Sequence, residues 1–314
     1  MKIAILDDYQ NVALTFADWT SLGAEIEVLT SHIDDQDELV RRLAGAEVVV
    51  AMRERTRFPA ELFARLPELK LLVSTGARNA AIDLKAAAEH GVTVCGTGYF
   101  SAPTAEHTWA LILAAVRNLA VELPGMRTGA WQSTVGTTLA GRTLGLLGLG
   151  RLGLRVAKVG QAFGMGTIAW SQNLTPERAA EHGVTAVSKE DLFRHADVLS
   201  VHLVLSRRTR GLVGAAELGL MKPDALLVNT SRGPIIDETA LLNALRDKKI
   251  GGAALDVYDV EPLPADHPVR SLDNVTLTPH LGYVTRETYE IFYRDAVEDI
   301  AAYQAGQPVR VMTA

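Results

Sequence analysis

Short, nearly continuous runs of Val, Ile and Leu recur along this chain, separated by segments with helical spacing of their apolar residues. Five come first: KIAIL (2–6), EIEVL (25–29), EVVVAM (47–52), LKLLVS (69–74) and VTVCG (92–96). Six follow: TLGLLG (143–148), GTIAW (166–170), DVLSVHL (197–203), ALLVNT (225–230), GGAALDV (251–257) and NVTLTPH (274–280). A strand with consecutive apolar residues is buried on both faces, which suits a parallel sheet covered by helices better than a half-exposed antiparallel one. Two successive βαβ series therefore predict an α/β chain of two doubly wound parallel-sheet domains. A length of 314 residues is enough for two cores of ordinary size.

The segment SAPTAEHTWALILAAVRNL (101–119) reads as one long helix joining the two series. Ser101 or Thr104 is placed to cap it, Pro103 suits a first turn, and Glu106 suits the early-turn dipole. The last helix, from about Arg286 to Gln304, has no strand of any length after it and is expected to return to the first domain. The predicted domains are thus 1–100 plus 284–314, a flavodoxin-like substrate domain, and 101–283, a Rossmann cofactor domain. AAEHGVT occurs at 87–93 and again at 179–185, each time closing a helix with a glycine before a strand. His90 and His182 in those repeats are given no function.

A formal charge of −6 and the lack of any basic run argue against a nucleic-acid surface. Cys95 is the single cysteine, so no internal disulfide forms and a reducing, cytoplasmic setting is expected. The amino end, MKIAILDDY, meets acids too soon for a secretory leader. Apolar stretches such as Trp109 to Val116 fall far short of the ~20 residues a membrane span needs.

The second series opens on GLLGLGRLG (145–153), with Gly148, Gly150 and Gly153 in G-x-G-x-x-G spacing between a buried strand and a helix predicted over 152–163. Gly148 allows the tight turn, Gly150 lets backbone approach a pyrophosphate, and Gly153 lets helix and strand pack closely. The helix amino terminus then offers unpaired N–H groups to phosphates. An acid at the end of the next strand would bond the adenosine ribose. Ser171, Gln172 and Asn173 stand there instead. No carboxylate repels a 2′-phosphate, which tilts the reading toward NADP without excluding NAD.

Ligands of open α/β sheets sit at the carboxyl ends of the strands. Those ends deliver Arg232, Asp256, Glu261 and His280. An arginine fork grips a carboxylate through two parallel bonds. A histidine exchanges a proton with a carbonyl or hydroxyl oxygen near neutral pH, and an acid behind it fixes its tautomer and raises its pKa. Singly each has an ordinary structural reading: an ion-pair arginine, a solvated loop acid, a satisfied core histidine. Placed together after a dinucleotide turn, they are what reduction of a 2-oxo acid requires.

With GLGRLG at 148–153, VNTSRGPIID at 228–237, ALDVYDVEP at 254–262 and TPHLG at 278–282, the chain resembles the D-isomer-specific 2-hydroxyacid dehydrogenase family over essentially its whole length. The resemblance implies that Arg232 binds the substrate carboxylate and carbonyl, His280 is the acid/base and Glu261 is its partner. It places Asp256 near the nicotinamide carboxamide, Thr104, Arg151, Leu152 and Thr230 against the cofactor, and His202 at the start of a cofactor-lining loop. It implies substrate contacts from backbone amides around Gly76, Ala77 and Arg78, and a homodimer joined through the region matching 101–119. Arg53 and Arg55, in MRERT after the third strand, are expected to face the same cleft. Arg78-Asn79 departs from the small residues and acid that family loops commonly carry, and these extra cations predict a substrate with a second anionic group.

The leading expectation is a reductase of a small 2-oxo acid such as glyoxylate or hydroxypyruvate. D-3-phosphoglycerate dehydrogenase is the runner-up, although many of its members carry a carboxyl-terminal regulatory domain for which no sequence follows here. Formate dehydrogenases lack the acid that Glu261 supplies. A non-catalytic dinucleotide sensor, as transcriptional corepressors of this superfamily resemble, stays open and is separated by turnover. No H-x-x-x-H or clustered acid spacing supports a metal enzyme.

Overall fold

The apolar runs become parallel strands. In the computed structural model, which describes residues 1–313, β1 (Lys2–Ile5), β2 (Glu25–Val28), β3 (Val48–Ala51), β4 (Leu71–Ser74) and β5 (Thr93–Gly96) form one sheet in the order β2-β1-β3-β4-β5. Register sets Ile3, Ala4 and Ile5 beside Val48, Val49 and Val50, and every pairing is parallel. This is the flavodoxin-like order. β3 and β4 are buried along their whole length, because helices cover both faces. Leu39, Phe58, Leu62 and Phe63 pack on one side. Each such side chain contributes roughly 1.5–3 kcal/mol on leaving water.

The helix Arg286–Gln304 belongs to this unit, far though it lies in sequence. It buries Tyr289, Phe292, Tyr293, Ala296 and Ile300 on one stripe. Tyr289 meets Phe16 edge-on at 5.8 Å and Tyr293 meets Trp19 at 6.2 Å. The chain then returns to β5, where Met312 N–H donates to Val94 O at 2.8 Å.

The second unit, Ser101–Tyr283, holds β6 (Thr143–Leu147), β7 (Gly166–Trp170), β8 (Thr185–Ala186), β9 (Val198–Val201), β10 (Leu226–Asn229), β11 (Gly252–Leu255) and β12 (Val275–Leu277). Their order is β12-β11-β10-β9-β6-β7-β8, again all parallel. The first six in chain order lie 3-2-1-4-5-6, the dinucleotide-binding arrangement, and β12 extends its edge. The order reverses between β6 and β9, so their outgoing turns diverge and open a crevice at the carboxyl edge.

Two expectations needed correction. β8 is only two residues long and was not legible as an apolar run. The helix predicted over 101–119 stops at Val116. Asn118 is left-handed at φ 51°, and a second helix, Leu119–Arg127, leaves at a bend of 69°. Among the described residues no single helix is long and apolar enough to cross a membrane.

Candidate active site

Gly148 has φ 107°, and a Cβ there would lie 2.6 Å from the carbonyl oxygen of His202. A Cβ on Gly153 would run into the Gly148 carbonyl, so strand, turn and helix close on one another only as glycine. Gly150 differs, since nothing lies within 4 Å of its Cβ position. The helix Arg151–Ala162 starts directly after this open point, without a side-chain cap on its first N–H groups. A cradle that is crowded beneath and open above suits a pyrophosphate. Arg151 is exposed at the mouth and Leu152 is half-buried behind it.

His202 lies under this turn. Its Nε2 is 2.9 Å from Ser200 Oγ, while burial pushes its pKa down to about 4, so the ring stays neutral. At the end of β7, Ser171 is half-buried, and Gln172 and Asn173 are exposed. Leu174 N–H donates to Ser171 O at 3.0 Å, turning the chain where the ribose-binding acid would stand.

Three loops at the same carboxyl edge carry the candidate catalytic groups. Asn229 ends β10 and clamps the next turn, accepting from Ser231 N–H and donating to Arg232 O, both at 3.0 Å. Arg232 thereby leaves a fixed backbone, half-buried, with Nη1 donating to Ser231 O at 2.7 Å. Gly233 packs so closely on the Tyr258 carbonyl and Asp259 N that a Cβ has no room. Tyr258 N–H donates to Glu261 Oε1 at 2.9 Å, and His280 Nδ1 lies 2.6 Å from Glu261 Oε2. Backbone contact therefore links the arginine loop to the acid, and the acid holds the histidine. His280 has φ 54°, a strained conformation for a non-glycine residue, of the kind that clusters at functional sites.

Asp256 is buried at 1% exposure. Its Oδ1 accepts from Leu281 N–H at 2.7 Å and Thr278 Oγ1–H at 2.6 Å, and its Oδ2 accepts from Gly282 N–H at 2.9 Å. Thr104 does not cap its helix; its hydroxyl donates to Gly282 O at 3.0 Å. Thr230 is likewise turned to the protein, 2.8 Å from Thr108 Oγ1.

His107 was missed by sequence reasoning. Its Nε2 lies 3.1 Å from Asp256 Oδ1 and 3.0 Å from Thr278 Oγ1. The available signal was spacing: His107 follows Thr104 by three positions and shares its helix face.

In the first unit, the carboxyl edge gathers Arg53, Gly76 and Asn79. Arg53 is left-handed at φ 50°, its N–H donates to Thr75 Oγ1 at 2.9 Å, and its carbonyl accepts from Asn79 Nδ2 at 2.6 Å. Its guanidinium fills the space a Cβ on Gly76 would take and stacks on Tyr99 at 5.5 Å. Gly76 N–H donates to Thr97 Oγ1 at 2.7 Å, so the Gly76 amide is spent within the fold, while Ala77 and Arg78 are exposed. Asp7 was also missed. It is buried with φ 56° and accepts from Thr56 Oγ1–H at 2.7 Å, with His32 Nδ1 2.9 Å away.

A family model described as "D-isomer specific 2-hydroxyacid dehydrogenase, NAD binding domain" matches residues 109–282. The glyoxylate reductase of Aeropyrum pernix is 41% identical over 261 residues, covering 80% of this chain and 78% of that protein. The D-3-phosphoglycerate dehydrogenase of Archaeoglobus fulgidus is 35% identical over 313 residues, 99% of this chain, but the match spans only 58% of that longer protein. The crystal structure of a phosphoglycerate oxidoreductase from Vibrio cholerae O395 superposes with a TM-score of 0.93 at 40% identity, covering 98% of this chain and 99% of that one.

Proposed function

The chain belongs to the D-isomer-specific 2-hydroxyacid dehydrogenase family, and on that premise we propose that it is an NAD(P)-dependent reductase of small 2-oxo acids such as glyoxylate or hydroxypyruvate. The observation that carries this reading is the His280–Glu261 pair at 2.6 Å, whose acid lies on a loop packed against the arginine turn. The bound dinucleotide supplies the hydride. Arg232 grips the substrate carboxylate and orients the carbonyl carbon for attack. With Nδ1 committed to Glu261, proton transfer to the carbonyl oxygen runs through His280 Nε2. Glu261 stabilises the imidazolium before transfer and keeps the ring in the productive tautomer. Ser171, Gln172 and Asn173 favour NADP, since none repels a 2′-phosphate and all three offer hydrogen bonds.

The assembly we propose is a homodimer. Helix Leu119–Arg127 buries none of its residues, and Leu123, Met126, Trp131 and Val135 stand exposed, the last two at 74% and 93%. An apolar arm of this size calls for a second copy of the chain. Light scattering that returns the 33.8 kDa of one chain would refute it. A reducing, cytoplasmic setting fits Cys95, whose burial pushes its pKa up to about 12 and keeps the thiol protonated.

The test of the activity is oxidation of NADPH and of NADH, followed by absorbance with glyoxylate, hydroxypyruvate and phosphohydroxypyruvate in turn. Fast turnover of the two small acids, with NADPH preferred, is the expected result. A clear preference for the phosphorylated acid would move the reading to phosphoglycerate dehydrogenase, with Arg78 the first residue to replace. Tight cofactor binding with no turnover on any acid would favour a dinucleotide sensor.

A further inference from the structure

We propose that His107 is a positioning residue for hydride transfer: it fixes the buried Asp256 carboxylate, which in turn holds the 278–282 turn that presents His280. The inference rests on the proposed reductase reading for its catalytic consequence, and on geometry alone for the tether.

Asp256 Oδ1 is crowded with donors. Thr278 Oγ1–H at 2.6 Å and Leu281 N–H at 2.7 Å both reach it, and His107 Nε2 stands 3.1 Å away. An ionised carboxylate only accepts, so Nε2 carries the proton that faces it. Thr278 gives its own hydrogen to Asp256, which leaves its oxygen to share that Nε2–H at 3.0 Å. Three side chains from three elements thus close a cycle: the helix Ala102–Val116, the end of β11 and the loop after β12.

The carboxylate grips the backbone on the far side of the histidine, at Leu281 and Gly282, while Thr278 holds the near side. His280 lies between these anchors, and its left-handed backbone is strained without them. A carboxylate at 1% exposure needs its lone pairs filled, or it draws the turn out of place to find other donors. Among the hydrogen bonds to Asp256, His107 supplies the one partner able to carry a positive charge. The donors are also unevenly shared. Oδ1 takes three of them, while Oδ2 takes Gly282 N–H.

The experiment compares wild type with His107→Ala and His107→Gln, the second keeping an N–H donor at similar reach. The first readout needs no turnover: amide hydrogen exchange across the peptide containing Leu281 and Gly282. In His107→Ala this peptide should exchange roughly tenfold faster or more, the scale of one lost charge-assisted hydrogen bond, while β3 and β4 in the first unit exchange as before. The second readout is steady-state reduction of glyoxylate. We expect kcat to fall about tenfold or more with KM changed little, because the substrate-gripping arginine sits on a separate loop. His107→Gln should restore most of both. Unchanged exchange at Leu281 and Gly282 in His107→Ala would overturn the tether, and a loss carried by KM alone would overturn the positioning role. Absence of turnover in wild type would count against the reductase reading, and the exchange data would still decide the tether.

Discussion

Replacing His280 is expected to lower kcat for glyoxylate reduction by roughly 10²- to 10⁴-fold, the usual share of a general acid. Asparagine is the substitution of choice. The backbone there is left-handed at φ 54°, and Asn tolerates that region where alanine adds strain. A loss in His280→Asn then reports chemistry, and cofactor affinity, set by the glycine turn after β6, should stay within about threefold, since that site adds or loses no contact. Glu261→Gln is the companion. It keeps a hydrogen-bond acceptor for Nδ1 but removes the negative charge beside the ring, so its loss should be smaller than that of His280→Asn. Steady-state rates and fluorescence titration of the reduced cofactor measure both. If His280→Asn retained turnover within a few-fold of wild type, the proton would come from elsewhere.

The parts of this site legible in the sequence were those whose residue type is dictated by backbone. Gly148 and Gly153 are glycine because strand, helix and the His202 carbonyl leave no room for a Cβ, and spacing alone reveals such a constraint. The sheets were legible because burial on both faces writes itself as unbroken apolar runs. β8 escaped because two residues at a sheet edge carry no periodicity. The break at Asn118 escaped for a different reason: local propensity continued the helix, and a single left-handed residue ended it. His107 escaped because its partners lie far away in sequence. His107 meets Asp256 across 149 positions, and a lone histidine on a helix looks the same whether or not a carboxylate waits opposite. Gly76 shows the converse limit. The loop was singled out, yet its amide is spent on Thr97 and its missing side chain makes room for Arg53, a division of labour set by the fold.

Arg232→Ala should act on capture more than on chemistry. Its turn is held by Asn229 through both ends of the amide, and Ser231 Oγ–H donates to Val201 O at 2.7 Å, so the backbone survives loss of the side chain. On the proposed reading, what disappears is a planar fork that pairs with both carboxylate oxygens of a 2-oxo acid. Breaking one partner of such a pair costs about 2–5 kcal/mol, which predicts a fall in kcat/KM of roughly 30-fold to several thousand-fold. KM should carry most of it, because the contact is made in the bound ground state as well as in the transition state. Arg232→Lys restores the charge without the fork and should recover only part, for lysine offers a point charge where two parallel bonds are needed. The decisive control is a carbonyl compound lacking the carboxylate, such as acetaldehyde beside pyruvate. The wild-type preference for the acid should collapse in Arg232→Ala while the slow rate on the aldehyde stays put. Equal losses on both compounds would mean that Arg232 supports the site without touching the acid.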